Sequence, residues 1–391
     1  VKIVIAPDSF KENMTSLQVA RAIERGIRRV LPNAKCITVP MADGGEGTVQ
    51  SLVDGTGGRF VHKQVSGPLG KPVRARYGLL GDGATAVIEM AEASGLPLIE
   101  KARRDPTKSS TFGTGELIAD ALKRGARRII VGIGGSATND GGAGMAQALG
   151  VRFIDARGRV VATGLGGGGL ATIRRIDISR LDQRLEKARV TVACDVDNPL
   201  YGPRGAAAVF GPQKGADAHM VKELDANLRH FASLIKAQLG RDVSKLPGGG
   251  AAGGLGAGLV AFTGARLRSG VDIVMEAVDL AGALKGADLV ITGEGRVDSQ
   301  TAFGKTPAGV AKAARRARVP VVAIGGGLAD DARGVFDHGI HGLASATARE
   351  MDLAEAIANS RRYLADAGER VVRLILLGQQ MARRRKAKKR S

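Results

Sequence analysis

Six short β-branched runs, each stopping at a glycine or a polar cluster, constrain this chain more than any other feature. They are KIVIA (2–6), CITVP (36–40), RIIVGI (128–133), RVTVAC (189–194), DLVIT (288–292) and VPVVAI (319–324). Each is apolar almost throughout, the pattern of strands buried on both faces of a parallel sheet. Helical patterns lie between several of them. Residues 16–31 place Leu17, Ala20, Ile23, Ile27 and Val30 on one stripe, Thr15 with Gln18 reads as a capping box, and Pro32 ends the run. Helices are also expected over 115–124, 217–239, 307–317 and 353–377. Strands alternating with helices predict an α/β fold. The segment 68–110 breaks the rhythm and reads as antiparallel. The glycine-rich stretches 163–170 and 247–258 read as loops, and the tail from 379 as disordered.

A length of 391 residues suggests two or three domains. Absence of Trp and an aromatic content of 3% argue against a surface that stacks bases or sugars. Two cysteines, Cys36 and Cys194, are too few for a disulfide framework or a zinc site, so a reducing cytoplasm is expected. No apolar run approaches the ~18 residues of a membrane span. The net charge is +20, and seven positive charges fall in the last eleven residues, MARRRKAKKRS. The basic body suits phosphates and acidic small molecules. No specific nucleic-acid partner is expected, and the sequence leaves a homo-oligomer open.

Ligands of open parallel sheets bind beyond the carboxyl ends of the strands, and here those ends are rich in acids. The first run is followed by Asp8, Ser9 and Lys11, the second by Asp43, Glu46 and Thr48, the third by Ser136, Thr138, Asn139 and Asp140. Asp195, Asp197 and Asn198 follow the fourth, and Glu294, Asp298, Gln300 and Lys305 the fifth. All five histidines lie outside these clusters. That disfavours a Ser-His-Asp hydrolase or a histidine metal site. Phosphoryl transfer fits better, because it works by positioning and charge neutralisation. Glycine turns admit phosphate to backbone N–H groups, carboxylates hold Mg²⁺ or accept a proton, and lysines steady the transferring group.

Each signal has a plainer rival. Residues 132–137 (GIGGSA) match the dinucleotide fingerprint, with Asp155 further on as an acid for the ribose, so a nicotinamide-dependent dehydrogenase is the alternative. Phosphate binding or a purely structural turn are the other readings of that segment. Gly304-Lys305-Thr306 resembles the end of a P-loop, but Ser299 stands where that pattern needs glycine. Asp195 and Asp197 would share a face on an extended chain, as a metal or base pair or as ordinary turn caps.

The motifs APDSFK (6–11), PMADGGEGT (40–48), FGTGELI (112–118), GIGGSATNDGGAGM (132–145), ACDVDNPLYGPRGAA (193–207), FGPQKGA (210–216), AAGGLGAGL (251–259) and ITGEGRVDSQTAFGKTP (291–307) together resemble the bacterial type 1 glycerate kinases, in order over residues 1 to about 375. The resemblance implies ATP-dependent phosphorylation of D-glycerate to 2-phosphoglycerate with Mg²⁺. It also implies a discontinuous flavodoxin-like parallel-sheet domain, 1–70 plus 285–378, and an inserted second α/β domain, 71–284, with a basic tail at 379–391. On this basis Asp8, Ser9, Lys11, Asp43, Arg296 and Lys305 are expected to bind substrate. Gly134, Gly135, Ser136, Asn139, Asp140, Gly141 and Gly142 are expected to meet the nucleotide. Asp195, Asp298 and Lys11 are the catalytic candidates, and Asp195, Asp197 and Glu294 the metal candidates. The loop GGGLADD (325–331) and the tail depart from the family pattern.

Overall fold

The structure is a computed structural model and describes residues 1–302 and 305–388. Its strands in chain order are β1 (Lys2–Ile5), β2 (Lys35–Thr38), β3 (Arg59–Ser66), β4 (Pro72–Leu79), β5 (Thr85–Glu89), β6 (Arg128–Gly132), β7 (Arg152–Asp155), β8 (Ile173–Asp177), β9 (Arg189–Ala193), β10 (Arg266–Arg268), β11 (Leu289–Val297), β12 (Val321–Leu328) and β13 (Gly342–Ser345). All six sequence-expected runs become strands, and the chain forms two compact units.

The first unit comprises Val1–Asp43, Gln50–Gly55 and Val271–Ser391. Its sheet has the order β13-β12-β11-β1-β2, with every neighbouring pair parallel. Counted within the unit this is the doubly wound 2-1-3-4-5 order of flavodoxin-like sheets, in which the strand order, not the strand direction, reverses between β1 and β11. The helix Ser16–Val30 begins at the expected capping box. The Gln18 amide donates to Thr15 Oγ1 at 3.3 Å, and the Thr15 amide to Gln18 Oε1 at 3.0 Å. Of its expected stripe Ala20, Ile23 and Ile27 are buried, joined by Val19, while Leu17 and Val30 are half-buried. Gly26 sits so close to the helix Ser360–Lys388 that an added Cβ would lie 1.8 Å from the Ala365 carbonyl oxygen.

The second unit comprises Gly44–Val49 and Thr56–Gly270. Its sheet runs β10-β9-β6-β5-β4-β3, parallel from β10 to β5 and antiparallel from β5 to β3. A separate antiparallel pair, β7 and β8, covers a core in which Phe153 and Phe231 meet edge to face at 5.5 Å.

Four expectations shift. The boundary expected at 70 moves upstream, because β3 pairs with β4 along its whole length and belongs with the second unit. The boundary expected at 285 moves to 271, since Val271–Leu284 groups with the first unit. Residues 379–388, expected to be disordered, instead continue the helix Ser360–Lys388. Arg, Lys, Met and Ala are good helix formers and simply extend a helix already packed at its start. Residues 389–391 lie outside the described residues. The single helix expected over 353–377 is two, Leu353–Ala358 and Ser360–Lys388, separated at Asn359.

Candidate active site

In the first unit the switch point between β1 and β11 gathers the site. After β1 the chain keeps bonding to β11, with the Ala6 amide donating to the Ile291 carbonyl and the Asp8 amide to the Gly293 carbonyl, both at 2.8 Å. Asp8 is thereby carried alongside the strand that bears Glu294. Reciprocal bonds between the Phe10 and Met14 backbones, each 2.9 Å, close the following loop and leave Lys11 exposed at its tip.

β11 runs five residues past the expected end at 292. Pairing with β12 carries it on, with Glu294 opposite Gly325 and Arg296 opposite Gly327. Alternation then puts Glu294 and Arg296 on one face. Glycine is required at 293, where a Cβ would stand 2.0 Å from the Ile324 carbonyl oxygen.

Asp8 accepts the Thr306 hydroxyl at 2.5 Å and the Ser9 amide at 2.6 Å. Burial pushes its carboxyl up to about 6; the Thr306 bond opposes this, and the charges of Asp43 and Glu294 reinforce it. Burial likewise raises Glu294, partly offset by Thr301 and the Lys305 ammonium. That ammonium lies 3.6 Å from Glu294 Oε2 and 3.4 Å from Asp298 Oδ1. For Asp298 burial also acts upward, but Lys305 and the Thr301 bonds outweigh it and hold the carboxyl below its ordinary value. Glu294 Oε1 is buried without a hydrogen-bond partner.

These groups border a cavity of about 830 Å³ formed within the first unit. All six residues expected to bind substrate (Asp8, Ser9, Lys11, Asp43, Arg296 and Lys305) line it, together with Glu294 and Asp298. Sequence reasoning missed Thr306, which supplies the hydroxyl on Asp8 and opens the helix Thr306–Arg316. Its only signal was the threonine following Lys305. Gly304 lies outside the described residues.

The remaining candidates belong to the second unit. In the turn after β6, Gly134 and Gly135 are exposed, whereas Ser136, Asn139, Asp140, Gly141 and Gly142 are buried. Asp140 accepts the Thr111 amide and hydroxyl at 2.8 Å each, the Gly142 amide at 3.0 Å and the Gly144 amide at 3.1 Å. Lys214, also buried, donates to the Thr138 carbonyl at 2.7 Å and to Ser136 Oγ at 3.3 Å. Burial pulls this ammonium down to about 7, against the pull of Asp140. Lys214 stood in the FGPQKGA motif, but nothing local marked it as buried. Asp195 accepts the Gly270 amide at 3.1 Å, while Asp197 is exposed and pairs with Arg204 at 3.0 Å. The two carboxylates thus have separate partners. Among the described residues no three His, Cys, Asp or Glu side chains form a metal-holding group.

The dehydrogenase alternative fails on this turn. A dinucleotide fingerprint opens directly into a helix, but the helix after β6 begins only at Ala143 and has six residues. Asp155 caps its own turn, accepting the Arg157 and Arg159 amides at 2.8 and 2.9 Å.

A doubly wound α/β enzyme, with a crevice of acids and lysines at the switch point of its sheet, is the class that this fold and site define. The chain belongs to the glycerate kinase family, whose model matches residues 3–376. It is 56% identical over 369 residues to the glycerate kinase of Halalkalibacterium halodurans, covering 94% of this chain and 97% of that one. It is 50% identical over 382 residues to the glycerate 2-kinase of Escherichia coli, covering 98% and 100%. A crystal structure assigned as glycerate kinase 2 from Salmonella typhimurium LT2 superposes with a TM-score of 0.90 at 52% identity, covering 97% of this chain and 99% of that chain. No helix among the described residues is long and apolar enough to cross a membrane.

Proposed function

We propose that this enzyme transfers the terminal phosphoryl group of ATP to the 2-hydroxyl of D-glycerate, and that the chemistry is carried by the cavity of the first unit. The supporting observation is the convergence of Asp8, Asp43, Glu294 and Lys305 on one cavity at the β1/β11 switch point. The names of the relatives support glycerate as substrate, and that of the Escherichia coli relative supports the 2-position.

Asp8 is the group assigned to take the hydroxyl proton. Its pKa near 6 keeps it ionised at neutral pH yet basic enough to accept a proton in the transition state. Asp298, lowered by its lysine, is a weaker base and serves to hold Lys305 in place. Lys305 steadies the transferring phosphoryl, and Lys11 and Arg296 hold the glycerate carboxylate. In the second unit, the exposed Gly134 and Gly135 amides are the part of the glycine turn open to an anion. Asp195, as an acceptor for the Gly270 amide, is assigned a positioning role.

The donor set suits Mg²⁺. The charges of Asp43 and Glu294 both act on Asp8 at the cavity, and a buried Glu294 oxygen lacks a partner. Mg²⁺ takes only one or two protein carboxylates beside phosphate and water, so Glu294 with Asp43 would hold it. When bound there, it would neutralise phosphate charge.

A coupled ADP-release assay with D-glycerate, followed by phosphorus NMR of the product, tests this reading. ADP release dependent on D-glycerate and a 2-phosphoglycerate resonance are expected. ADP release that ignores D-glycerate would overturn the activity, and a 3-phosphoglycerate resonance would overturn the position.

A further inference from the structure

We infer that the part of the same cavity lined by Leu328, Met351, Leu353 and Ile357 is the subsite for the nucleobase of the phosphoryl donor. This rests on the kinase reading above and adds where the donor is held. The cavity of about 830 Å³ has the size that encloses a drug-sized ligand, and a three-carbon acid fills only a small part of it. Charged groups gather at the ends of β1 and β11, while Leu328 at the end of β12 and Met351, Leu353 and Ile357 add aliphatic side chains to the lining, with Arg349, Glu350 and Asp352 among them.

Those aliphatic groups are open to water. Leu328 is 40% exposed, Ile357 42% and Leu353 75%. Covering apolar surface of this kind is favourable, and a flat apolar ligand would cover it. Of the two substrates, only the donor has such a part, its base; glycerate and the phosphate chain present polar surface throughout.

Arg349, a cation that lines the cavity beside Met351 and Leu353, is already engaged. Arg349 is paired with Glu355, donates to the Glu350 carbonyl at 2.9 Å and reaches the Tyr363 hydroxyl at 3.5 Å. The Tyr363 hydroxyl in turn donates to Glu355 at 2.7 Å. An anion gains little from it. The phosphates therefore belong beside Lys305, Lys11 and Arg296, and the base on the aliphatic side chains.

The test is the double variant Leu353→Ser with Ile357→Ser. Both side chains are exposed enough that folding should be kept, which circular dichroism checks. The KM for ATP is expected to rise about tenfold or more, while kcat at saturating ATP and the KM for glycerate stay within about twofold. Adenosine binding, followed by calorimetry, needs no turnover and should weaken by a similar factor in the variant. Equal adenosine affinity in both proteins, or a KM for ATP that does not move, overturns the subsite even if glycerate is phosphorylated. Adenosine binding that depends on these side chains, in a protein that does not phosphorylate glycerate, overturns the kinase reading and leaves the subsite standing.

Discussion

The Thr306 hydroxyl donates to the Asp8 carboxylate at 2.5 Å, joining residues 298 positions apart in the chain. The bond ties the start of the helix Thr306–Arg316 to the exit of β1, so the acid placed at the switch point is both held and partly stabilised in its charged form.

Asp8→Asn should separate activity from stability. Turnover is expected to fall by roughly 10²–10⁴-fold, the range of a lost general base. The folded carboxyl near 6, against an ordinary 3.8, binds its proton more tightly than the unfolded chain does. The native state therefore loses stability as pH rises between those values, and Asn removes that loss. Urea unfolding at pH 7.5 should find the variant at least as stable as the parent, by up to about 3 kcal/mol; a clearly weaker variant would contradict the desolvation argument.

Thr306→Val removes the bond that lowers the Asp8 carboxyl while keeping the side-chain shape. The acidic limb of the kcat/KM profile should then move upward by about one pH unit. A profile that stays in place would show that Asp8 is not the titrating base.

Lys305→Met leaves Glu294 and Asp298 facing each other without their shared cation. Activity should drop by about a hundredfold or more. Thermal stability should fall at neutral pH and recover as the solution is acidified and Glu294 takes up a proton. Loss of stability that is the same at pH 5 and pH 8 would speak against the charge argument.

Lys214 has a folded pKa of about 7 against an ordinary 10.5, so the unfolded chain binds more protons between those values. Stability should rise with pH through that window. Lys214→Met should flatten the slope measured by denaturant unfolding between pH 7 and 9.5, and an unchanged slope would remove the lysine as its source.

Gly26→Ala should destabilise the first unit by roughly 1–3 kcal/mol or more, because the new methyl meets the Ala365 carbonyl. Differential scanning calorimetry would register this as a lowered transition, and an unmoved one would show that the two helices separate freely.

The residue pattern alone determined a good deal. Six apolar runs are strands because each carries enough β-branched side chains to declare itself locally, and the Thr15–Gln18 box starts its helix where expected for the same reason. That Asp8, Ser9, Lys11, Asp43, Arg296 and Lys305 would belong together was legible from motifs that follow the first, second and fifth runs, and all six line one cavity. Only the tertiary structure decided the rest. β11 continues through a segment that reads as a loop because β12 supplies its hydrogen bonds and Gly293 permits the approach. That Ser136, Asn139 and Asp140 are buried in their glycine turn, with Asp140 serving the amides and hydroxyl packed around it, was not readable from the sequence. The pairing of the polar β3, the burial of Lys214 and the bond from Thr306 to Asp8 left no local mark. Their energies come from partners far away in the chain, and no window of neighbouring residues carries that information.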